Sequence, residues 1–265
     1  MSRLDVYLTE NGLAKSRERA KALIKGGKVT VNGKTCTKPA QEIGESDIVD
    51  SQPDDLAFVG RGGLKLEKAF ETFDINVDGL VCADIGASTG GFTQCLLEHG
   101  AKQVCAIDVG HGQLDESLVA DSRVVNCEGV NARELTPDDF EQTPEFISVD
   151  VSFISLGLII PALSGVLAPN GEMVTLIKPQ FEAGKKSLNK KGIVKDPKDH
   201  IRVLENMMSA FNGAGLSVKG LTVSSITGGD GNIEYLAHLC KDTSGVENVQ
   251  TDIDKFVKNA FLQFK

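Results

Sequence analysis

Past residue 60 the chain alternates between short apolar runs and amphipathic stretches. The runs are Leu80–Ile85, Gln103–Asp108, Val124–Glu128, Phe146–Asp150 and Met173–Lys178. Short apolar runs between turn signals read as strands buried on both faces. Helical stretches separate most of them, among them Gly91–His99 and Leu156–Leu167. A further helix near Asp199–Gly213 carries Val203, Leu204, Met207, Met208 and Phe211 at helical spacing. Two last strands, Ser217–Ile226 and Asn232–Leu239, have no helix between them and are expected to pair antiparallel. The pattern predicts an open α/β sheet, mostly parallel, with helices on both faces.

The first 50 residues follow another rhythm. Leu4, Leu8 and Leu13 border one helix, which Asn11-Gly12 ends. Ser16 is expected to cap a second, Arg17–Lys25, whose inward positions are Ala20, Leu23 and Ile24. Val29 and Val31 alternate with polar residues, and Asn32-Gly33 signals a hairpin turn. Ile43–Val49 returns as a further short strand. These elements predict a small α+β domain over residues 1–50 and a linker at 51–60 containing Pro53, Asp54 and Asp55. The α/β body is expected over 61–243, opening with a helix from Leu64 to Phe73 that turns Leu66, Ala69, Phe70 and Phe73 inward. A terminal helix is expected within 244–265.

Charge divides along the same line. The net charge is −9, yet residues 1–38 hold nine basic and three acidic side chains, so this segment is +6 and the rest −15. A basic module on an acidic body suits a phosphate backbone better than the overall sign would suggest. Arg3, Lys15, Arg17, Arg19, Lys21, Lys25 and Lys28 are the expected contacts. None of the six cysteines stands at C-x-x-C spacing and the four histidines are scattered, which argues against a zinc centre and against a disulfide framework. No apolar run approaches the roughly 20 residues a membrane span needs. The chain opens on no signal-peptide pattern, so a cytoplasmic protein is expected, with no membrane and no obligate protein partner.

The strongest chemical signal is Asp84-Ile85-Gly86-Ala87-Ser88-Thr89-Gly90-Gly91-Phe92, a glycine-rich turn between a strand and a helix. It lacks both the dinucleotide spacing and the Gly-Lys-Ser/Thr of a P-loop. The next strand ends in Asp108, where a carboxylate can accept ribose hydroxyls. Two more strands end in Asp150 and in Lys178-Pro179. Taken singly, each is an ordinary solvated strand end. In a parallel sheet, however, all four lie on one edge, so Asp84, Asp108, Asp150 and Lys178 are expected to converge.

The N-terminal string Arg3-Leu4-Asp5, Gly12-Leu13, Ser16-Arg17, Leu23-Ile24, Gly27-Lys28-Val29 and Val31-Asn32-Gly33 resembles the S-four RNA-binding domain. Asp84–Thr93 with Asp150 and Lys178-Pro179 resembles the FtsJ-like ribose methyltransferases. Both in this order, joined through Val59-Gly60-Arg61-Gly62-Gly63-Leu64-Lys65-Leu66, resemble the TlyA (hemolysin A) family of ribosomal RNA methyltransferases. Lys178-Pro179-Gln180-Phe181-Glu182 is especially specific to it. The resemblance implies a Rossmann-like class I methyltransferase fold, S-adenosylmethionine as methyl donor and 2′-O-methylation of cytidine ribose in ribosomal RNA. It also implies a tetrad of Lys65, Asp150, Lys178 and Glu234. Cofactor contacts are implied at Asp84, at Gly86 through Phe92, and at Asp108 and Asp150. Ser88-Thr89 departs from the Ala-Pro of many relatives and removes a rigid proline.

A ribose hydroxyl is a poor nucleophile, so the site must align it with the methyl and take its proton. Lysine does so only after losing a proton of its own. Burial and a second lysine favour that loss, and neighbouring carboxylates oppose it. Lys185, Lys186, Lys190 and Lys191 form a basic run just past the lysine motif and are expected to contact RNA phosphates. Three other readings compete. A small-molecule methyltransferase leaves the basic module unemployed, an RNA-binding assembly factor leaves the tetrad unemployed, and a hemolysin lacks a spanning segment.

Overall fold

The computed structural model describes residues 2–14, 17–44, 46–51, 58–228, 231–241, 249 and 251–264, and of Glu18, Arg19 and Ala22 only the backbone. Expectations for Lys15 and Ser16, for linker residues 52–57 and for 242–248 fall outside these residues. The chain divides into two compact units, residues 1–60 and 61–265.

The first unit contains β1 (Ser2–Arg3), α1 (Leu4–Glu10), α2 (Arg17–Lys25), β2 (Val29–Val31), β3 (Lys34–Thr35), β4 (Glu42–Ile43) and β5 (Val49–Ser51). Its core gathers Leu4, Leu8, Ala20, Leu23 and Ile24 from the helices with Val29, Val31, Cys36 and Ile43. Asn32 and Gly33 both take positive φ, 51° and 74°, and close the β2–β3 hairpin. The single strand expected over Ile43–Val49 is two strands in different sheets. β4 pairs β1, and β5 pairs β2. The cause is a turn that Asp47 closes by accepting the Gly44 amide at 2.8 Å. Ser51, assigned by sequence to the linker, ends β5.

The second unit contains α3 (Gly63–Thr72), β6 (Val81–Ile85), α4 (Gly91–Glu98), β7 (Gln103–Asp108), α5 (Glu116–Val119), β8 (Val124–Glu128), β9 (Phe146–Val149), α6 (Ile160–Val166), β10 (Glu172–Ile177), α7 (Pro179–Glu182), α8 (Pro197–Gly213), β11 (Ser217–Val223), β12 (Tyr235–Cys240) and α9 (Ile253–Gln263). Seven strands form one sheet in the order β11-β12-β10-β9-β6-β7-β8. β6 through β10 pair in parallel, and β12 runs antiparallel to both β10 and β11. This is the Rossmann-like arrangement expected. The chain leaves β6 towards β7 on one side and returns to β9 on the other, so a crevice opens at the carboxyl end of β6.

The helix expected over Leu156–Leu167 is broken into a 3-10 turn, Leu156–Leu158, and α6. Pro161 has no N–H to carry the earlier turn onward, so the α-helix starts at its own first turn. α9 seats Val257 and Ala260 in the core, with Phe256 against Tyr235 and Phe261 against His200. Among the described residues no helix is long and apolar enough to cross a membrane.

Candidate active site

The glycine-rich turn is held from below. Asp84 is wholly buried and accepts the hydroxyls of Thr93 at 2.7 Å and Ser148 at 3.1 Å. Burial raises its carboxyl to about 7, against the pull of those two hydroxyls. Asp84 therefore builds the floor of the turn and does not join the other strand-end residues at its surface. Gly86 sits at φ 83°, where a Cβ would come within 2.5 Å of the Asp150 carbonyl oxygen. Gly90 sits at φ 94°, where a Cβ would strike Leu118. Glycine is needed at both positions for the turn to lie against β9 and α5.

A cavity of about 610 Å³ opens above this turn at the crevice between β6, β7 and β9. It is lined by Gly86 and Ser88, by Asp108 and Val109, and by Asp150 through Ile154. Of the turn's other expected contacts, Ala87, Gly90, Gly91 and Phe92 are buried, and neither they nor Thr89 line the cavity. The reason lies in the backbone. The amides of Gly86 and Ala87 donate to the Ile107 carbonyl at 2.8 and 3.1 Å, and that of Gly90 donates to Ala87 at 2.7 Å. These three amides are thus spent inside the fold rather than offered to a ligand.

Asp108 accepts the Ser88 amide at 2.8 Å on one oxygen and the Gly110 amide at 2.8 Å on the other. Each carboxylate oxygen keeps a second lone pair, which suits a vicinal diol. Asp150 also lines the cavity, with its buried Oδ1 against the Lys178 ammonium. A ribose-bearing nucleoside without phosphate fits this donor and acceptor set. S-Adenosylmethionine is such a ligand, and a cavity of this size is usual for one.

Sequence reasoning passed over the far wall, Val130, Asn131, Ala132 and Arg133, which follows β8. It also passed over Glu128, whose carboxylate accepts the amides of Gly112 at 2.6 Å and Gln113 at 2.9 Å and so fixes the loop that brings Gln113 to the cavity. The position of Glu128 at a third strand end was the available signal.

A second cavity, about 630 Å³, shares Ser152, Phe153 and Ile154 with the first. Lys65, Lys178 and Glu234 line it. Lys65 Nζ lies 2.6 Å from Glu234 Oε2, and Lys178 Nζ lies 2.5 Å from Asp150 Oδ1. Lys178 also donates to Ser152 Oγ at 2.9 Å. The four expected residues are therefore two ion pairs on the wall between two cavities. Asp150 faces the first and the other three face the second.

Each side chain of Lys178-Pro179-Gln180-Phe181-Glu182 beyond the proline grips this wall. Gln180 donates to Glu234 Oε1 at 2.9 Å, and the Phe181 ring lies 5.2 Å from that of Phe153. Glu182 accepts the Ser155 hydroxyl at 2.6 Å and the Leu156 amide at 2.8 Å. Phe153 itself is 92 % exposed and held at φ 65°, a strained conformation for an aromatic residue. Asn232 ties the opposite rim by accepting the Val194 amide at 3.0 Å and donating to Gly192 at 3.1 Å.

Lys185, Lys186, Lys190 and Lys191 are exposed on the loop around this rim, and Lys185 lines the second cavity. In the first unit Arg3 and Arg17 are not simply free for phosphate. Both bond the wholly buried Asp5, at 2.9 and 3.2 Å, and hold its carboxyl below the usual range. Their side chains stay about half exposed, 50 % and 56 %. Lys25 is exposed, Lys21 and Lys28 are partly so, and the Arg19 side chain is not among those described.

Residues 58–241 match the profile of the FtsJ-like methyltransferases, and residues 2–49 match that of the S4 domain. The protein named Hemolysin A of Brachyspira hyodysenteriae is 45 % identical over 89 % of this chain and 99 % of its own. The 16S/23S rRNA (cytidine-2′-O)-methyltransferase TlyA of Mycobacterium tuberculosis is 41 % identical over 91 % of each. A solved structure of a hemolysin-named protein from Streptococcus thermophilus is 45 % identical. It superposes with a TM-score of 0.82 over 99 % of this chain and 96 % of that one.

Proposed function

The chain belongs to the FtsJ-like methyltransferase family and is an S-adenosylmethionine-dependent enzyme; from that premise we propose that its acceptor is a cytidine 2′-hydroxyl in ribosomal RNA. The observation that carries this reading is the shared wall. A nucleoside cavity and a second cavity meet at residues 152–154, with two lysine–carboxylate pairs set between them. S-Adenosylmethionine supplies a methyl already activated on a sulfonium. Asp108 holds the cofactor ribose, and the turn from Gly86 to Ser88 sets its depth. The target ribose enters the second cavity, where Lys178 meets the 2′-hydroxyl. An ammonium has no lone pair, so Lys178 would act after releasing its own proton to water, taking the hydroxyl proton as the 2′-oxygen gains the methyl and the C–S bond to the sulfonium breaks, with Asp150 holding the amine in line. Lys65, fixed by Glu234, adds a second positive group that orients the ribose.

The acceptor is large and anionic rather than a small molecule. Lys185 lines the second cavity on a loop that exposes three more lysines, the exposed Phe153 ring also lines it and offers a base a stacking face, and the first unit matches the S4 domain, which we read as RNA-binding. The first 50 residues act in this reading as an RNA anchor. Ribosomal subunits place the reaction in the cytoplasm. The test is to incubate the protein with methyl-labelled S-adenosylmethionine and each ribosomal subunit or free ribosomal RNA, then digest to nucleosides. Label in 2′-O-methylcytidine is expected. Label confined to a base, or absent from every substrate, overturns the assignment.

A further inference from the structure

On the far side of α3 from Lys65, three ligating side chains outside the two cavities converge. Cys95 and His99 stand one turn apart along α4 and its cap, and Glu67 reaches them from α3. Cys95 Sγ lies 3.5 Å from Glu67 Oε2, and His99 Nε2 lies 2.9 Å from the same oxygen. One ligating atom from each of the three falls within 4.8 Å of the others. The Phe70 ring, one turn along α3 from Glu67, stacks on the His99 ring with centroids 4.0 Å apart and planes at 8°. This stack fixes the imidazole with Nε2 towards the carboxylate.

We propose that Glu67, Cys95 and His99 form a binding site for a thiophilic divalent cation of the zinc class, which staples α3 to α4. The two distances to the shared carboxylate are close to those of a tetrahedral centre, and the third pair lies within 4.8 Å. Bonds of about 2.3 Å to sulfur and about 2.0–2.2 Å to oxygen and nitrogen put neighbouring ligand atoms about 3.3–3.6 Å apart. The sulfur–oxygen distance already matches. The nitrogen–oxygen pair needs to open by only a few tenths of an ångström. Cys95 is buried while Glu67 and His99 are about one-third exposed, so the fourth position faces water. A soft thiolate with imidazole selects zinc over magnesium or calcium. On binding, the thiol proton and the proton shared by His99 and Glu67 leave to solvent, and three coordinate bonds replace them.

The absence of C-x-x-C spacing does not bear on this site. Its two in-sequence ligands are spaced for one helix face, and its third comes from a neighbouring helix. Glu67 lies two residues from Lys65, and α4 begins at the glycine-rich turn. The metal therefore braces both halves of the active-site scaffold without touching either cavity.

Cobalt(II) is the direct probe for the full chain after chelator treatment. An equimolar near-ultraviolet thiolate-to-cobalt band with visible bands of tetrahedral intensity is expected, and zinc should bleach them. Cys95→Ala should abolish the charge-transfer band. His99→Gln and Glu67→Gln, at partly exposed positions that leave the core intact, should weaken binding at least about tenfold. Zinc should raise the melting temperature of the wild type but not of His99→Gln. No thiolate band in the wild type overturns the proposal. So does a band that survives Cys95→Ala, or a zinc-induced melting shift that survives His99→Gln.

Discussion

Lys178 Nζ stands 2.5 Å from Asp150 Oδ1 and 2.9 Å from Ser152 Oγ, so one ammonium bridges the strand end facing the first cavity and the loop shared by both. The lysine is buried and paired rather than a loose surface cation. It ends a buried strand, and Pro179 fixes the backbone just beyond it. Lys178→Ala should lower single-turnover methylation by about a hundredfold or more, as loss of a general base does. Cofactor and RNA affinity should stay within a few-fold, because the lost contact belongs to the transition state. Lys178→Arg should not rescue, since a guanidinium does not give up its proton at working pH. An alanine variant within about tenfold of wild type would reduce Lys178 to a positioning role.

That lysine was legible in the sequence because a charge after a buried apolar run, followed by proline, has few structural uses. Strand order and the crevice at β6 were likewise legible, since alternating runs and right-handed crossovers leave few topologies. Asp84 shows where the reading stops. Asp84 and Asp108 both fall near the ends of apolar runs and share one face of the sheet, yet Asp84 pairs with Ala106 inside the strands, beneath Thr93 and Ser148, while Asp108 lies two residues further along and reaches the cavity. Register at that resolution is not written in a one-letter pattern. Glu182 and the 130–133 wall were missed for a related reason. Their roles depend on which loops the sheet brings together, and no local spacing encodes that. Arg17 reads as a phosphate contact in sequence, while Asp5, buried beneath it, claims part of its fork.

Asp108 carries the second prediction. Asp108→Ala removes acceptors for the cofactor ribose and also releases the Ser88 and Gly110 amides. Each charge-assisted hydrogen bond is worth about 1.5–3 kcal/mol, so affinity for S-adenosylhomocysteine should fall at least about tenfold by calorimetry. Asp108→Asn, which keeps one acceptor oxygen, should fall between. Unchanged affinity in the alanine variant would place the nucleoside elsewhere.

Glu182 should matter without touching either ligand. Its two hydrogen bonds hold Ser155 and Leu156, and through them the loop that carries Ser152 and Phe153. Glu182→Ala frees that loop, and misplacement on the ångström scale costs about tenfold to a hundredfold in rate. The loss should appear in kcat and in KM for RNA, with S-adenosylhomocysteine affinity little changed. Glu182→Gln, which can still accept the Leu156 amide, should recover part of it. Equal losses in both variants would point to the charge itself.

Asp84 predicts a pH dependence of stability. Its folded-state carboxyl sits at about 7 against an ordinary value of 3.8. The folded state therefore binds more protons than the unfolded one between these limits. This group's contribution is most favourable below about pH 4 and is lost as pH rises through 7. Denaturant titrations at pH 5 and pH 8 should show a drop for the wild type. Asp84→Asn, neutral throughout, should show a smaller one. An identical drop in the variant would mean that Asp84 is ionised in the fold at both pH values.

The lysine loop offers the cleaner test of RNA contact, because Arg3 and Arg17 are coupled to buried Asp5 and their removal would unbalance it. Lys186, Lys190 and Lys191 are exposed, belong to neither ion pair and line neither cavity. The loop is shaped by Asn189, whose side-chain oxygen accepts the amides of Lys191 at 2.8 Å and Ile193 at 3.0 Å. Glutamine at the three lysines should therefore leave the fold unchanged and remove only charge. Each phosphate contact adds about 0.7 to 0.9 to the slope of log affinity against log salt. The triple variant should bind ribosomal RNA more weakly at low salt, with a slope shallower by about 2 if all three lysines meet phosphates. Cofactor affinity should not move, since none of the three lines the first cavity. Fluorescence anisotropy with labelled RNA across a salt series measures both quantities. A variant with the wild-type slope would show that the loop faces solvent in the complex and that RNA affinity comes from the first unit.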